Sequence, residues 1–453
     1  MSNINPSSSF RFLRKAPSDV RAHSHEFDPV DAKTRSIAQG IIDEVRAGGE
    51  TALRSIAAKF GDLASPDARL VLNREDMKAA YDSLPEDQQT LLERVAARIR
   101  VFAEAQRAAL TNIDVVVPGG RAGHTVSPCA TAGCYAPGGR YPLPSSVLMT
   151  AVTARVAGVE TVWVASPRPL PITIAAAYVA GADALLCVGG AQAIAALAFG
   201  IGGPPNCDVI VGPGNRFVTA AKSIVSGHCA IDMLAGPSEC LVLADETADA
   251  HLISADLLAQ AEHDTDALPI LVTTSAALAD RVDEEMGKQL AVLPTAAVAS
   301  VSAAKGFTVL CSSLDEAISV VDKLAPEHLE VQVADSDIVW KQVKNYGGMF
   351  VGANTAEVFG DYGAGPNHVL PTSGTARYTG GLSVFTFLRV RTWLRSDAPV
   401  TDRAGLDAVA RDSAHLARLE GLYGHEAAAL ARGSEQVKEE ARLAKKNISA
   451  QSL

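Results

Sequence analysis

Two separate stretches of the sequence contain side chains that could bind one metal ion. In LLAQAEHDTD, Gln260 and His263 are three residues apart, so a helix would place an amide oxygen and an imidazole on the same face. In GDYGAGPNHVLPTSG (360–374), Asp361 and His368 lie among turn-forming residues that follow a predicted strand. A carboxylate suits zinc and other divalent ions. A polar helix face and a solvated loop aspartate are the alternative explanations of these residues.

Two further pairs combine a glutamate with a histidine, which are side chains that carry protons in many enzymes. Glu327 and His328 are adjacent in PEHLE, and adjacent residues of a strand point to opposite faces. Pro326 favours a turn of the backbone there, so that one cleft could accept both side chains. Glu420 and His425 in LEGLYGHEAA would lie on adjoining helix faces, although His425 also fits an ordinary surface position.

A phosphate-binding glycine loop is only partly present. In VGPGNRF, Gly212 and Gly214 follow a predicted strand, but Phe217 stands where the Gly-x-Gly-x-x-Gly pattern has its third glycine. Backbone amides at the start of the helix after Asn215 could still bind an anion. A second tight turn, CYAPGGRYP (134–142), contains Tyr135, which could stack on a base or ribose or belong to a structural loop.

The segments that must position these residues alternate between short apolar strands and alanine-rich helices from Gly133 onward. Strands about 23 residues apart are predicted at TVWVAS (161–166), ALLCVG (184–189) and CDVIVG (207–212). Such spacing requires crossover helices and indicates a parallel sheet covered on both faces. A second set of strands comprises ECLVLAD, PILVTTS, FTVLCSS, LEVQVA and GMFVG. We therefore predict an α/β fold of two lobes with a cleft between them.

Helical periodicity is predicted on either side of this region, from about residue 28 to 133 and again after Gly380. The C-terminal helical segment has an apolar face, so we expect it to pack on its own lobes or on a second copy of the chain.

Composition excludes several classes of protein. The 453 residues include 40 basic and 51 acidic side chains, a net charge of −11 that argues against nucleic-acid binding. No apolar run reaches the roughly 18 residues that cross a bilayer. The seven cysteines form no Cys-x-x-Cys pair, which indicates buried thiols in a reducing compartment. Residues 1–18 faintly resemble an organelle transit peptide, and a frayed terminus is the alternative explanation.

The sequence resembles the histidinol dehydrogenase family from about residue 30 to 435. The matching motifs are YAPGG with PSSVLM, GGAQAIAALAFG, VGPGNRFV, IDMLAGPSE, DLLAQAEHD, APEHLE, GDYGAGPNHVLPTSG and EGLYGH. The resemblance implies a cytoplasmic enzyme that uses zinc and NAD to oxidise histidinol through the aldehyde to histidine, in two hydride transfers. It also implies a homodimer with two incomplete Rossmann-like lobes and a helical C-terminal arm.

The resemblance also assigns domains and residues. We expect an N-terminal extension (1–28), a discontinuous first α/β lobe (29–133 and 242–386), a second lobe (134–241) and the arm (387–453). The implied zinc ligands are Gln260, His263, Asp361 and His425, the last from the partner subunit. Glu327 and His328 match the acid–base pair. The implied substrate-binding residues are Ser238, Gln260, His263, His328, Asp361, His368, Glu420 and His425, and the implied cofactor-binding residues are Tyr135, Gln192 and Asn215.

Two other functions stay open. GGRYP, RLEGLYGHEAA and TSGTARYTGGLSVFTFLRVRTWLR are closer to a paralogous branch that includes sulfopropanediol 3-dehydrogenase, which oxidises a sulfonated diol with the same metal and cofactor. The intact GPSE and PEHLE motifs favour histidinol. A metal-containing binding protein without turnover is the alternative from another class, but such a protein needs no adjacent proton carriers like Glu327 and His328.

Overall fold

The computed structural model describes residues 10–20, 30–138, 142–396 and 400–451. Residues 1–9 of the possible targeting segment and 139–141 of the CYAPGGRYP turn lie outside this range. The strands are β1 (Leu13–Lys15), β2 (Val71–Asn73), β3 (Ile113–Val117), β4 (Gly120–Pro128), β5 (Thr131–Tyr135), β6 (Thr161–Ala165), β7 (Ala184–Leu186), β8 (Val209–Val211), β9 (Ala230–Ile231), β10 (Glu239–Ala244), β11 (Leu268–Thr273), β12 (Phe307–Leu310), β13 (His328–Gln332), β14 (Gly348–Val351) and β15 (Leu388–Arg395).

The helices alternate with these strands through most of the chain. They are α1 (Ala32–Lys59), α2 (Arg74–Asp82), α3 (Glu86–Ala108), α4 (Pro144–Ala157), α5 (Pro171–Val179), α6 (Gly190–Phe199), α7 (Arg216–Val225), α8 (Ala250–Ala261), α9 (Ala276–Leu290), α10 (Ala296–Ala303), α11 (Leu314–Leu324), α12 (Ser336–Val339), α13 (Glu357–Asp361), α14 (Arg403–Leu419), α15 (Tyr423–Leu430) and α16 (Glu435–Gln451). The described part of the chain contains no helix that is both long and apolar enough to span a bilayer.

The first sheet has six strands in the order β1-β12-β11-β10-β13-β14, and all neighbouring strands are parallel. Without the edge strand β1, the order is the 3-2-1-4-5 arrangement of a Rossmann-like sheet. Its four inner strands are almost entirely buried because helices such as α8, α9 and α11 cover the two faces. The second set of predicted strands is confirmed here.

The second sheet repeats this arrangement, with the order β2-β7-β6-β5-β8-β9. β2 runs antiparallel to β7, and the other neighbours are parallel. The strands predicted at 161–166, 184–189 and 207–212 are confirmed as β6, β7 and β8. The α/β prediction with two parallel-sheet lobes is therefore confirmed. In both sheets the Rossmann-like order ends at its fifth strand, and the additional edge strand, β1 or β2, lies at the opposite edge.

The segment before residue 133 differs from its sequence prediction. β2 joins the second sheet, and α1 and α2 pack against α5, α6 and α7, whereas the sequence grouped 29–133 with 242–386. The helical prediction for 28–133 is also wrong at β3 and β4, which form an antiparallel hairpin. Since β3 is mostly exposed, it lacks the alternation of a half-buried strand that would have identified it.

A separate compact unit consists of residues 108–127 and 388–453. It contains a three-stranded sheet in the order β15-β4-β3, together with α14, α15 and α16. The predicted C-terminal helices are confirmed, but β15 was not predicted. The alternation in LRVRTWLR is the sequence signal that would have identified this strand.

Candidate active site

The predicted metal-binding pair lies at the end of a helix that covers the first sheet. Gln260 is in the last turn of α8, and His263 follows two residues after the helix ends. Gln260 is fully buried, yet neither its amide oxygen nor its amide nitrogen has a hydrogen-bond partner. Leaving a buried amide without a partner is costly, so this environment fits an additional ligand such as a metal ion.

His263 lies next to two carboxyl groups of α13. Its Nε2 atom is 3.5 Å from Oδ2 of Asp361. Glu357 lies four residues earlier on the same helix, and one ligand atom from each of the three side chains lies within 4.8 Å of the others. One imidazole and two carboxyl groups at this spacing form a donor set that fits zinc or another divalent ion. The structure thus brings together His263 and Asp361 from stretches about 100 residues apart in the sequence.

His328 begins β13 and has a defined tautomer. Its Nδ1 atom lies 3.0 Å from the backbone carbonyl oxygen of Glu239 on the neighbouring strand β10. Because a carbonyl oxygen can only accept, Nδ1 carries the proton and Nε2 keeps its lone pair. Nε2 has no hydrogen-bond partner. Burial lowers the pKa of His328 to about 4, so the ring is neutral at neutral pH and can accept a proton at Nε2.

Glu327 lies beside this imidazole. Its Oε2 atom accepts a hydrogen bond of 2.8 Å from the backbone amide of Glu239 and is 3.7 Å from Nδ1 of His328. The backbone turns just before Pro326, at Ala325, which has a left-handed φ of 48° and ends α11. Burial raises the pKa of Glu327 well above its usual range, and the nearby carboxyl group of Glu239 raises it further.

Two of the predicted substrate-binding residues adjoin this group. The Ser238 side chain lies near the carboxyl group of Glu327 and lowers its pKa slightly, against the larger effect of burial. Nδ1 of His368 donates to the backbone carbonyl oxygen of Asp361 at 2.9 Å, and its Nε2 atom lies 3.3 Å from Oγ of Ser146. Burial lowers the pKa of His368, which keeps this imidazole neutral as well.

Sequence reasoning missed three glutamates of this site. Oε1 of Glu357 lies 3.3 Å from Nδ1 of His328, and burial raises the pKa of Glu357 well above its usual range. Glu330 accepts a hydrogen bond of 2.9 Å from the backbone amide of Glu357 and so fixes the start of α13. Glu239 orients His328 through its carbonyl oxygen. The four-residue spacing of Glu357 and Asp361 in AEVFGD is the signal that would have found Glu357, since it places both on one helix face.

The three predicted cofactor-binding residues all follow strands of the second sheet at their carboxyl ends. Tyr135 ends β5, and its hydroxyl oxygen accepts a hydrogen bond of 3.1 Å from the backbone amide of Gly190. The amide nitrogen of Gln192 donates to Asp62 at 3.1 Å. Asn215 follows β8 and caps α7 by accepting from two backbone amides. β5 and β8 are the central strands at which the strand order reverses, which is where open α/β sheets bind ligands.

Two predicted residues lie in the other compact unit. Glu420 is the residue at which α14 ends, and His425 lies in α15. Both are exposed, and neither is part of the cluster formed by His263, Glu357 and Asp361 in the described chain.

Comparison with known proteins gives one consistent result. The family model described as histidinol dehydrogenase matches residues 26–433. A histidinol dehydrogenase from Thermus thermophilus is 44% identical over 403 residues, which cover 88% of this chain and 94% of the relative. A sulfopropanediol 3-dehydrogenase from Ruegeria pomeroyi is 40% identical over 400 residues, which cover 86% of this chain and 90% of the relative.

The fold also agrees with a solved structure of a histidinol dehydrogenase. A crystal structure of histidinol dehydrogenase from Elizabethkingia anophelis superimposes with a TM-score of 0.86 at 27% sequence identity. The superposition covers 94% of this chain and 98% of that structure.

Proposed function

The chain belongs to the histidinol dehydrogenase family, a family of NAD-dependent dehydrogenases, and from this premise we propose that it oxidises L-histidinol through the aldehyde to L-histidine with zinc and NAD. The observation that carries the proposal is the convergence of His263 with the buried residues Asp361 and His328 in one cluster, with Glu327 beside it. This cluster combines metal-type donors with two proton carriers, as an alcohol dehydrogenase of this kind requires.

The donor set supports zinc as the metal. We propose that Gln260, His263 and Asp361 hold it together with His425 of the partner subunit. The unpartnered amide of Gln260 supports this assignment, because a metal ion would supply the missing partner of its oxygen. When bound, zinc supplies Lewis acidity that lowers the pKa of an alcohol held beside it.

His328 is proposed as the base for the alcohol. Its neutral ring keeps a lone pair on Nε2, the atom that lies towards Asp361. Nδ1 donates to a main-chain carbonyl, so the ring stays oriented while Nε2 takes the hydroxyl proton. The imidazolium that forms would lie beside the carboxyl group of Asp361, which would stabilise its charge.

Glu327 is proposed to activate the water that adds to the aldehyde before the second oxidation. Its raised pKa makes its ionised form a stronger base than an exposed glutamate, and general base catalysis becomes more effective as the strength of the base increases. The backbone amide of Glu239 holds its carboxyl group in place.

The remaining assignments concern NAD, the substrate and the assembly. We propose that Tyr135, Gln192 and Asn215 bind NAD at the point where the strand order of the second sheet reverses. Ser238, His368 and, from the C-terminal arm, Glu420 are proposed to contact the substrate. From the domain assignment based on the sequence, the part in which 387–453 forms this arm stays a proposal.

A homodimer in the cytoplasm is proposed on two observations. Large apolar side chains of the C-terminal unit are exposed, among them Leu416, Leu419, Leu422 and Tyr423, and a second copy would bury them. All seven cysteines are free and buried, which suits a reducing compartment.

The alternative substrate is the sulfonated diol 2,3-dihydroxypropane-1-sulfonate, which would be oxidised to sulfolactate. The 40% identity to a sulfopropanediol 3-dehydrogenase, and the GGRYP and RYTGGL segments, favour it. Histidinol stays the first choice because GPSE and PEHLE are intact and the 44% identical relative is a histidinol dehydrogenase.

Parallel steady-state assays on the two substrates test the proposal. With histidinol, purified enzyme should form two NADH per substrate molecule and lose activity when a chelator removes the metal. Turnover of dihydroxypropanesulfonate, together with failure to complement a histidinol dehydrogenase deletion, would establish the alternative. Binding of metal and ligand without any NADH formation would instead indicate a binding protein.

A further inference from the structure

A buried ion pair lies beneath the glycine turn that follows β8. Lys222 of α7 and Asp232, which follows β9, form a salt bridge, and their side chains are 4% and 0% exposed. Replacing a buried ion pair with uncharged side chains of similar volume is often neutral or stabilising. Stability alone therefore does not explain why two charges are buried here.

The ion pair hydrogen-bonds both backbone polar groups of Gly212, its amide and its carbonyl oxygen. The backbone amide of Gly212 donates to Oδ2 of Asp232 at 2.7 Å, and Nζ of Lys222 donates to the carbonyl oxygen of Gly212 at 3.0 Å. The other carboxylate oxygen of Asp232 accepts from the backbone amide of Met233 at 2.7 Å. The two charged groups thus restrain the peptide units on both sides of the glycine.

Gly212 is the residue through which this turn contacts β5. Its φ of 119° is accessible mainly to glycine, and a Cβ atom built there would lie 2.0 Å from the carbonyl oxygen of Tyr135. A shift at Gly212 would therefore displace the turn relative to Tyr135. It would also displace Asn215 and the first backbone amides of α7, which come next in the chain.

We propose that Lys222 and Asp232 are positioning residues that hold the 212–215 turn in the conformation that binds the dinucleotide. This inference rests on the proposed function, which places the cofactor at this turn. The hydrogen bond from Lys222 to the carbonyl oxygen of Gly212 matters most, because it fixes the peptide unit that leads into the rest of the turn. If the turn is already ordered before NAD binds, no binding free energy is used to order it. The pair therefore affects the affinity for NAD rather than the chemical step.

The test is the double variant K222M/D232N, with NAD binding measured by isothermal titration calorimetry. Both charges are removed together, so no unpaired ion is buried, and the amide oxygen introduced at position 232 can still accept from the backbone amide of Gly212. We expect the Kd for NAD to rise about tenfold or more, with a parallel rise in the KM for NAD. The KM for the alcohol should stay within about twofold of the wild-type value. An unchanged Kd for NAD in a folded double variant would overturn the inference.

The matched control is R14M/D283N, which removes another ion pair with a buried aspartate. Asp283 also accepts from a backbone amide, that of Phe12, while binding Arg14, but it lies beside the edge strand β1 of the first sheet. This control should bind NAD like the wild type; an equal loss in both would overturn the inference.

A second variant keeps the test decisive if K222M/D232N does not fold. K222Q/D232N replaces the two charged groups with amides, and the shorter glutamine side chain does not reach the carbonyl oxygen of Gly212 as the lysine does. Wild-type NAD affinity in this variant would again contradict the inference. Failure of the wild type itself to bind NAD would contradict the proposed function instead.

Discussion

Nε2 of His328 lies 3.8 Å from Oδ1 of Asp361, which is too long for a direct hydrogen bond. The gap leaves the lone pair of the imidazole without a protein partner, although the residue is buried. Such an unsatisfied atom is rare in a folded protein unless a ligand or water meets it. The substrate hydroxyl group is the partner that we propose for it.

His328→Asn should remove the base while keeping its structural hydrogen bond. The side-chain amide of asparagine can donate to the Glu239 carbonyl oxygen as Nδ1 does, but it has no counterpart of Nε2. We expect kcat for the alcohol to fall by about 100-fold to 10,000-fold, in line with the loss of a general base. Zinc content and the Kd for NAD should stay at wild-type values. His251→Asn, at an exposed histidine, is the control, and retention of full activity in His328→Asn would exclude this base.

Glu327→Gln should separate the two oxidations. The glutamine oxygen can still accept from the backbone amide of Glu239, so the local structure is kept. We expect the aldehyde step to slow by about 100-fold or more, because the amide cannot activate water. Aldehyde trapped by semicarbazide during turnover would then accumulate and give one NADH per substrate. Wild-type kinetics in this variant would remove Glu327 from the mechanism.

Most of the inner parallel strands could be predicted from the sequence because they are buried on both faces and therefore appear as continuous apolar runs. The predicted strand CDVIVG became β8, and LEVQVA became β13. β3 could not be found in this way. Its side chains are mostly exposed, so its sequence shows neither a buried apolar run nor an alternation of apolar and polar residues. β2, which has three residues, depends on its pairing with β7, a contact between distant parts of the chain.

The site was predictable only in part for a related reason. Residue types and spacing selected Gln260 with His263, and Glu327 with His328, because each pair is local in the chain. The meeting of His263 with Asp361 depends on how α8 and α13 pack, and only the resemblance to a family implied it. The role of Glu239 could not be predicted from its residue type, because it binds His328 through its main-chain carbonyl, a group that every residue has.

Asp361→Asn should weaken metal binding. The change removes the negative charge that lies 3.5 Å from Nε2 of His263, and a neutral amide is a poorer ligand for a divalent ion. We expect zinc per chain, measured by inductively coupled plasma mass spectrometry after dialysis, to fall well below the wild-type value. Asp280→Asn, at an aspartate with a 65% exposed side chain, should leave zinc unchanged.

Glu357→Gln tests whether the carboxyl group missed by the sequence analysis is itself a ligand. Burial raises the pKa of Glu357 well above its usual range, so a proton competes with a metal ion for its carboxyl group. We therefore expect this variant to keep most of its zinc while activity falls, because the group next to His328 has changed. Zinc loss equal to that of Asp361→Asn would show that Glu357 binds the metal directly.

Glu239→Gln should change how stability depends on pH. Burial raises the pKa of Glu239 from 4.5 to about 7, so the folded state keeps a proton that the unfolded chain releases near pH 4.5. Wild-type stability from this group is present below pH 4.5 and is lost as the pH rises towards 7. The variant does not titrate, and glutamine can still accept from the backbone amide of Ser373. Relative to the wild type, it should therefore gain about 3 kcal/mol in free energy of unfolding between pH 4.5 and 7.5. Urea unfolding across this range measures the gain, with Glu104→Gln as an exposed control, and parallel curves for variant and wild type would contradict it.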